Sequence, residues 1–170
     1  MTEVQKQVYR LQGAINKLVM DDKGSTMICI WGLLPFAHHD DAQRALLTGI
    51  NIIKALKTIE DTYCNIGISS GECFSGIVGS QGSRKEYSVL GDSVNLAARI
   101  MGSMKVAKVK NEIMCDLNTR MLAADSFCFE YQSHQEFKGK SISIPIFRPI
   151  DPMLNFEKAS QKVLNPQYFL

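Results

Sequence analysis

Residues 66–99 carry the densest structural signal of the chain and read IGISSGECFSGIVGSQGSRKEYSVLGDSVNLAAR. Two β-prone runs, Cys64–Ser70 and Glu72–Gly79, lie on either side of Gly71 and predict a β-hairpin. Several glycines interrupt these strands, which is typical of places where a helix or a ligand approaches the backbone closely. No glycine in this stretch is followed by the Lys-Ser/Thr of a P-loop.

A short strand and a helix complete the stretch. Glu86–Leu90 has the pattern of a strand that stops at Gly91, and Asp92 or Ser93 is suited to cap the helix that follows. The sequence therefore predicts a strand that leads directly into a helix.

Two polar residues of this helix lie one turn apart. Asn95 and Arg99 are at positions i and i+4 and share a face, which is offset from a predicted buried stripe of Val94 and Ala98. An amide beside a guanidinium suits a phosphoryl or ribose oxygen that gains negative charge. On spacing alone, an exposed Asn/Arg pair is more often ordinary surface.

The remaining elements follow from periodicity and turn signals. Before residue 66, the pattern predicts a helix over residues 2–12, a hairpin of Ala14–Met20 and Thr26–Gly32, and a long helix from Ala42 to Ile59. We expect Arg44, Lys54 and Lys57 of the long helix to be solvated. After residue 99, the pattern predicts a strand over Glu112–Cys115, a short helix over Asn118–Ala124, and late strands over Phe127–Tyr131, Glu136–Phe137 and Ser143–Phe147. This alternation predicts a mixed α/β fold, with residues 151–170 as a tail.

Length and charge exclude several classes of protein. The 170 residues suit one domain with a core of its own. The 19 Lys and Arg nearly balance the 17 Asp and Glu, so charge indicates neither nucleic acid nor a membrane surface as a partner. No apolar run reaches the roughly 18 residues of a membrane helix, and the polar N-terminus does not resemble a secretory signal.

Cysteine and histidine clusters do not indicate a metal site. The five cysteines are scattered and lie in apolar segments, which predicts buried, reduced thiols in an intracellular protein. Residues 38–41 read HHDD, but consecutive side chains point in different directions, so we interpret them as a helix entry.

Several motifs resemble the catalytic domain of class III nucleotidyl cyclases. Gly91–Arg99 resembles the signature helix of that family, and Ile66–Gly79 resembles the glycine-bearing hairpin before it. Lys138-Gly139-Lys140 is similar to its closing motif. Residues 15–24 are most similar to the second catalytic half of soluble, bicarbonate-responsive adenylyl cyclases. The resemblance covers residues 1–150.

The resemblance implies a reaction at the interface of a head-to-tail dimer. One domain supplies two aspartates that hold two Mg²⁺ or Mn²⁺ ions, and the other reads the base and stabilises the transition state. In this chain Asn95 would orient the ribose and Arg99 would stabilise charge on the α-phosphate. Lys138 or Lys140 would reach the terminal phosphates of ATP.

The resemblance also implies residues for base recognition and metal binding. Ser88 lies where the family reads the purine together with a lysine, and its hydroxyl favours adenine. Lys17 is the matching lysine, or else a solvated strand residue. Asp21, four residues later, has the spacing of the second metal aspartate, but Met20 replaces the usual glycine. The pattern therefore favours a hairpin-turn aspartate at Asp21, with the metal ligand as the alternative.

The expected fold is α/β (α+β), a ferredoxin-like cyclase homology domain over residues 1–150 that lacks its first β-strand. That strand carries the first metal aspartate in the family, so this chain would hold no complete metal pair. Its absence would also expose apolar surface and unpaired backbone, which predicts a fragment of a longer protein or a covering polypeptide.

The predicted function is therefore one half of a soluble-type adenylyl cyclase, inactive alone, that converts ATP to cyclic AMP and pyrophosphate when paired. The main alternative is a degenerate cyclase-like regulatory or structural module without turnover. A ferredoxin-like RNA-binding domain is disfavoured, because exposed strand aromatics and a basic excess are missing. The resemblance implies a cytoplasmic location, raises the cilium as a second one, and allows membership of a larger assembly.

Overall fold

The computed structural model describes residues 2–22, 24–82, 84–139 and 142–152. The elements in these ranges are α1 (Thr2–Arg10), β1 (Ala14–Asp21), β2 (Gly24–Ile30), α2 (Asp41–Leu56), β3 (Ile66–Ile68), β4 (Phe74–Val78), β5 (Glu86–Leu90), α3 (Asp92–Val106), β6 (Ile113–Cys115), α4 (Leu117–Leu122), β7 (Phe127–Gln135) and β8 (Ile144–Pro152). β8 continues two residues into the segment 151–170 that the sequence assigns to a tail, and the rest of that segment lies outside the described residues.

The described strands form three sheets. β1 and β2 pair antiparallel from Ala14↔Ile30 to Asp21↔Gly24, which confirms the first predicted hairpin. A four-stranded sheet has the order β3-β6-β8-β7, in which β3 is parallel to β6 and the other pairs are antiparallel. β4 and β5 form a separate antiparallel pair, here called the β4–β5 ribbon.

The predicted hairpin around Gly71 is wrong, because β3 and β4 belong to different sheets. The segment between β3 and β4 is hydrogen-bonded to the start of α4, because Ser69 Oγ donates to the buried Asp116 carboxylate at 2.8 Å. Gly71 marks a close approach, since a side-chain carbon there would lie 3.3 Å from Ser93 Cβ. The glycine therefore serves contact with α3, and it does not reverse the chain.

All three sheets have open strand edges in the described part of the fold. β2 pairs there with β1 alone, and β3 pairs with β6 alone. In residues 2–22 no strand precedes α1, so the family's expected first strand is not among the described elements. Open edges present unpaired backbone groups that another strand can complete.

The main core lies where α2 packs on the four-stranded sheet. Its buried members are Leu11, Leu46, Leu47, Ile53, Ile113, Cys115, Ala123, Phe127 and Phe147. A second cluster joins α3 to β8 through Leu96, Ile100 and Ile146. The expected Val94/Ala98 stripe is wrong, because Ser93, Leu96, Ile100 and Met104 are the buried residues of α3 and Ala98 is exposed.

The interpretation of residues 38–41 as a helix entry is confirmed, since α2 begins at Asp41 after Asp40 in the N-cap position. Arg44, predicted to be solvated, is instead 9% exposed. Its Nε lies 2.7 Å from Asp40 Oδ1, and its Nη1 donates to Gln12 Oε1 at 2.9 Å. The guanidinium therefore joins the end of α1 to the start of α2.

All five cysteines are free thiols, but they differ in burial. Cys115 is buried, whereas Cys73 and Cys128 are exposed, so the prediction of buried thiols is wrong at those two positions. Burial raises the pKa of Cys29 to about 11, with a smaller contribution from the charge of Cys64. Burial also raises the pKa values of Cys64 and Cys115. These three thiols are therefore protonated, and poor nucleophiles, at neutral pH.

Candidate functional site

Helix α3 places the Asn/Arg pair at the surface. Asn95 lies in the first turn, where its backbone N–H reaches Gly91 O at 3.4 Å, and its side chain is exposed. Arg99 follows one turn later and is half-buried. Within the described part of the chain, neither side chain has a hydrogen-bond or ion-pair partner. A half-buried guanidinium without a carboxylate partner is suited to bind an anionic ligand.

The turn after β7 lies against Arg99. Gly139 has a φ of +81°, a conformation that glycine adopts without strain. A side-chain carbon on Gly139 would lie 3.8 Å from Arg99 Nη2, so this turn lies beside the guanidinium. Lys138 precedes this glycine and is exposed, and Lys140 lies outside the described residues. The structure therefore brings together Arg99 and the Lys138–Gly139 turn.

The β4–β5 ribbon carries Ser88 toward the start of α3. Ser88 is half-buried, pairs with Gly76 and has no hydrogen-bond partner among the described side chains. The ring of Phe74 lies over Gly76, 3.0 Å from the position of a side-chain carbon there. Since α3 begins two residues after Leu90, the serine and the Asn/Arg pair lie on consecutive elements.

Lys17 and Asp21 lie on the β1–β2 hairpin. Lys17 pairs with Ile28 just after a bulge and is exposed, and no hydrogen bond or ion pair is formed by its side chain in the described structure. Asp21 is the last residue of β1 and pairs with Gly24, a position that leaves the metal and the turn interpretations as alternatives. No hydrogen bond or ion pair links Lys17 to Ser88, Asn95 or Arg99.

The described residues do not form a metal centre by themselves. Among them, no group of three or more His, Cys, Asp or Glu side chains is placed to hold an ion.

Two features of the site were missed in the sequence. The first is the contact of Cys73 Sγ with Ser93 Oγ at 2.9 Å, at the junction of the ribbon and α3. The glycines at positions 71 and 91, which flank it on the two segments, were the available signal. The second is the apolar surface of the ribbon. The apolar residues along β4 and β5 could have indicated it, because a two-stranded ribbon cannot bury both of its faces.

A sequence profile of the Adenylate and Guanylate cyclase catalytic domain matches residues 11–149. The chain belongs to this family. The match includes α3, the β4–β5 ribbon and the Lys138–Gly139 turn, so every predicted site residue lies within the cyclase domain. Catalytic domains of this family act as dimers on nucleotides and use divalent metal ions.

A curated relative and two solved structures describe the similarity further. Adenylate cyclase type 10 of Homo sapiens is 40% identical over 91 residues, which are 53% of this chain and 6% of that protein. The adenylyl cyclase CyaB from P. aeruginosa gives a TM-score of 0.74 at 24% identity, covering 90% of this chain and 79% of that chain. The guanylate cyclase domain of RhGC from Catenaria anguillulae, solved with GTP, gives a TM-score of 0.74 at 20% identity, covering 89% of this chain and 80% of that chain.

These comparisons settle the fold and the broad type of the domain. At such identities the two solved structures show the fold alone, and they confirm the predicted mixed α+β cyclase domain. The chain spans only a small fraction of the human relative. No helix in the described ranges is long and apolar enough to cross a membrane.

Proposed function

We propose that this cyclase domain is the half of an adenylyl cyclase that binds the base and the phosphates of ATP. The observation that carries the proposal is the state of Arg99. Arg99 is half-buried and lies one turn from Asn95 and beside the Gly139 turn, and its guanidinium lacks a partner among the described groups. A structural arginine in such surroundings is normally paired, as Arg44 is with Asp40 in this chain.

The proposed reaction uses the chain's own residues for position and charge. The ribose 3′ oxygen attacks the α-phosphate, and pyrophosphate leaves. Asn95 hydrogen-bonds the ribose and orients this oxygen, and Arg99 stabilises the negative charge that develops on the α-phosphate. Lys138, with Lys140, neutralises the terminal phosphates and so assists the departure of pyrophosphate.

The two Mg²⁺ or Mn²⁺ ions belong mainly to the partner domain in this proposal. Bound there, they would activate the 3′ oxygen and neutralise the triphosphate. Asp21 is the one ligand that we propose from this chain, and the described residues supply no complete set. We therefore assign no step of the reaction to a metal centre on this domain.

Base selection is proposed to rest on Ser88 and Lys17. A hydroxyl can donate to a ring nitrogen of adenine or accept from its amino group, and a lysine can donate to the base. Adenine is the proposed base, and guanine is the competitor that a nucleotide competition experiment would exclude. The location of the protein in the cytoplasm, or in a cilium, stays a prediction.

The surface of the β4–β5 ribbon supports a second cyclase homology domain as the partner. Phe74 and Leu90 face each other across the ribbon and are 60% and 52% exposed. Ile77 and Tyr87 are paired on the opposite face of the ribbon and are 71% and 51% exposed. Exposed apolar side chains on both faces of a ribbon are typical of a surface that another protein covers. We propose that the partner binds there in a head-to-tail dimer.

The test is cyclic AMP production from ATP with Mn²⁺, by this domain alone and mixed with a cyclase half that carries both metal aspartates. We expect activity only in the mixture. Asn95→Ala and Arg99→Ala should each lower kcat about 100-fold or more, the usual effect of removing a group that stabilises the transition state. The control is Arg10→Ala, at the exposed end of α1, which should leave activity unchanged.

The alternative is a cyclase-like module without turnover. Met20, which stands beside Asp21 where the family usually has glycine, favours it. Association of the two halves, measured by sedimentation, separates the outcomes. A mixture that associates and makes no cyclic AMP rejects the enzyme hypothesis. If such a mixture still binds a fluorescent ATP analogue, and Arg99→Ala weakens that binding, the domain is a nucleotide-binding regulator.

A further inference from the structure

An exposed cysteine lies at the junction between the β4–β5 ribbon and α3. Cys73 is the residue just before β4, and its Sγ lies 2.9 Å from Ser93 Oγ in the first turn of α3. Ser93 is 9% exposed, so its hydroxyl has little access to water. The thiol–hydroxyl contact therefore replaces hydration of a buried polar group.

The same segment fits closely against the residue that begins α3. A side-chain carbon on Gly91 would lie 2.7 Å from Cys73 Sγ and 2.9 Å from Glu72 O. Gly71 adds a second close approach, 3.3 Å from Ser93 Cβ. The chain before β4 is thus packed against Gly91, which links β5 to α3, and against Ser93 in the first turn of α3.

We propose that Cys73 is a positioning residue that fixes the β4–β5 ribbon relative to the first turn of α3. Its sulfur fills the space beside Gly91 and hydrogen-bonds Ser93. Ser88 lies three residues before Gly91, and Asn95 lies two residues after Ser93. The distance between these two nucleotide-binding candidates therefore depends on the Cys73 contact. This inference rests on the proposed function only in its kinetic consequence.

The first experiment is hydrogen exchange of the full chain and needs no nucleotide. Removal of the sulfur in Cys73→Ala should speed amide exchange in residues 86–96 about three- to tenfold, the effect of losing one net hydrogen bond. Exchange in α2 and β8 should stay unchanged. Cys73→Ser keeps a hydrogen-bonding atom and should restore slow exchange, and Cys128→Ala is the matched control at an exposed thiol on β7.

A second pair of variants tests whether the two side chains act together. Ser93→Ala should give the same acceleration, and Cys73→Ala combined with Ser93→Ala should add nothing further, because both remove one contact. The proposal is overturned if Cys73→Ala exchanges like the wild type or if Cys73→Ser exchanges as fast as Cys73→Ala. Acceleration spread evenly over α2 and β8 overturns it as well, since it shows a general loss of stability.

The kinetic experiment uses the mixture of cyclase halves. Cys73→Ala should raise KM for ATP about fivefold at nearly unchanged kcat, because ATP must then order the ribbon and α3 on binding. Asn95→Ala should lower kcat instead. A fall in kcat with Cys73→Ala and no change in KM contradicts a positioning role. If the wild-type mixture is inactive, the proposed function fails, and the exchange experiment still decides the role of Cys73.

Discussion

Gly67→Ala tests the contact that places α3 on the sheet. Gly67 is the middle residue of β3, and α3 crosses directly over it. A side-chain carbon there would overlap Ala97 O and lie 2.7 Å from Met101 N, both backbone atoms of α3. The helix backbone cannot move aside as the end of a flexible side chain could, so the added methyl must displace the helix.

The size of the effect follows from these contacts. Ordinary van der Waals contact begins at 3.4 Å, so α3 must withdraw by about 1 Å to accept the methyl group. Overpacking of this kind costs about 1–3 kcal/mol of unfolding free energy, and we expect the upper end because two backbone atoms are involved. Asn95 and Arg99 move with the helix, and a misplacement of about 1 Å can lower the rate about 100-fold.

The assay is urea unfolding of the isolated domain, followed by cyclic AMP production in the mixture of halves. Gly102→Ala is the matched control, because it lies within α3 and a side-chain carbon there meets nothing within 4 Å. Alanine is favoured over glycine in a helix, so this variant should gain about 0.5–1 kcal/mol. The reasoning is refuted if Gly67→Ala unfolds at the same urea concentration as the wild type, or if both variants shift in the same direction.

Three further predictions concern stability. Arg44→Ala leaves the Asp40 carboxylate without its partner and should cost about 2–4 kcal/mol in urea unfolding, whereas a loss below about 0.5 kcal/mol would show that the pair is solvated. Asp116→Ala removes the side chain that accepts from Thr119 N at 2.9 Å and caps α4; it should cost about 1–2 kcal/mol by thermal unfolding, and Asp116→Ser should recover part of it. Cys29 has a folded pKa near 11, above its ordinary value of 9.0, so the unfolded chain loses this proton first as pH rises. The unfolding free energy should therefore fall between pH 9 and pH 11, and less steeply in Cys29→Val; equal slopes would contradict the burial of this thiol.

Local pattern was sufficient for the elements of the site. Glu86–Leu90 is a strand at its predicted bounds, and the predicted helix follows it. The predicted cap is wrong, because Gly91 is in the N-cap position and the helix already begins at Asp92. Once this helix forms, Asn95 and Arg99 share a face of it, because they are at positions i and i+4. The roles of these residues, and of Lys17, Asp21, Ser88 and Lys138, came from the resemblance and await the experiments above.

The local pattern did not predict which elements contact each other. The glycine at position 71 has the signature of a turn and of a close approach alike, and only the contact with Ser93 shows which applies. Arg44 has the pattern of a solvated helix residue, and it is buried because Asp40 and Gln12 converge on it from two elements.

By itself, the sequence determined the mixed α+β class and most of the order of strands and helices, because these depend on short-range periodicity and turn residues, and its motifs carried the resemblance to the family. The strand predicted over Glu136–Phe137 is wrong, because β7 ends at Gln135 and the next strand is β8. Tertiary structure alone decided that β3 joins β6 and that β4 pairs with β5 in a separate ribbon. It also decided that Arg99 lies beside the Gly139 turn and that Cys73 contacts Ser93. The paired residues of β3 and β6, like Arg99 and Gly139 or Cys73 and Ser93, are 20 or more positions apart, and no local preference of the chain encodes such partners.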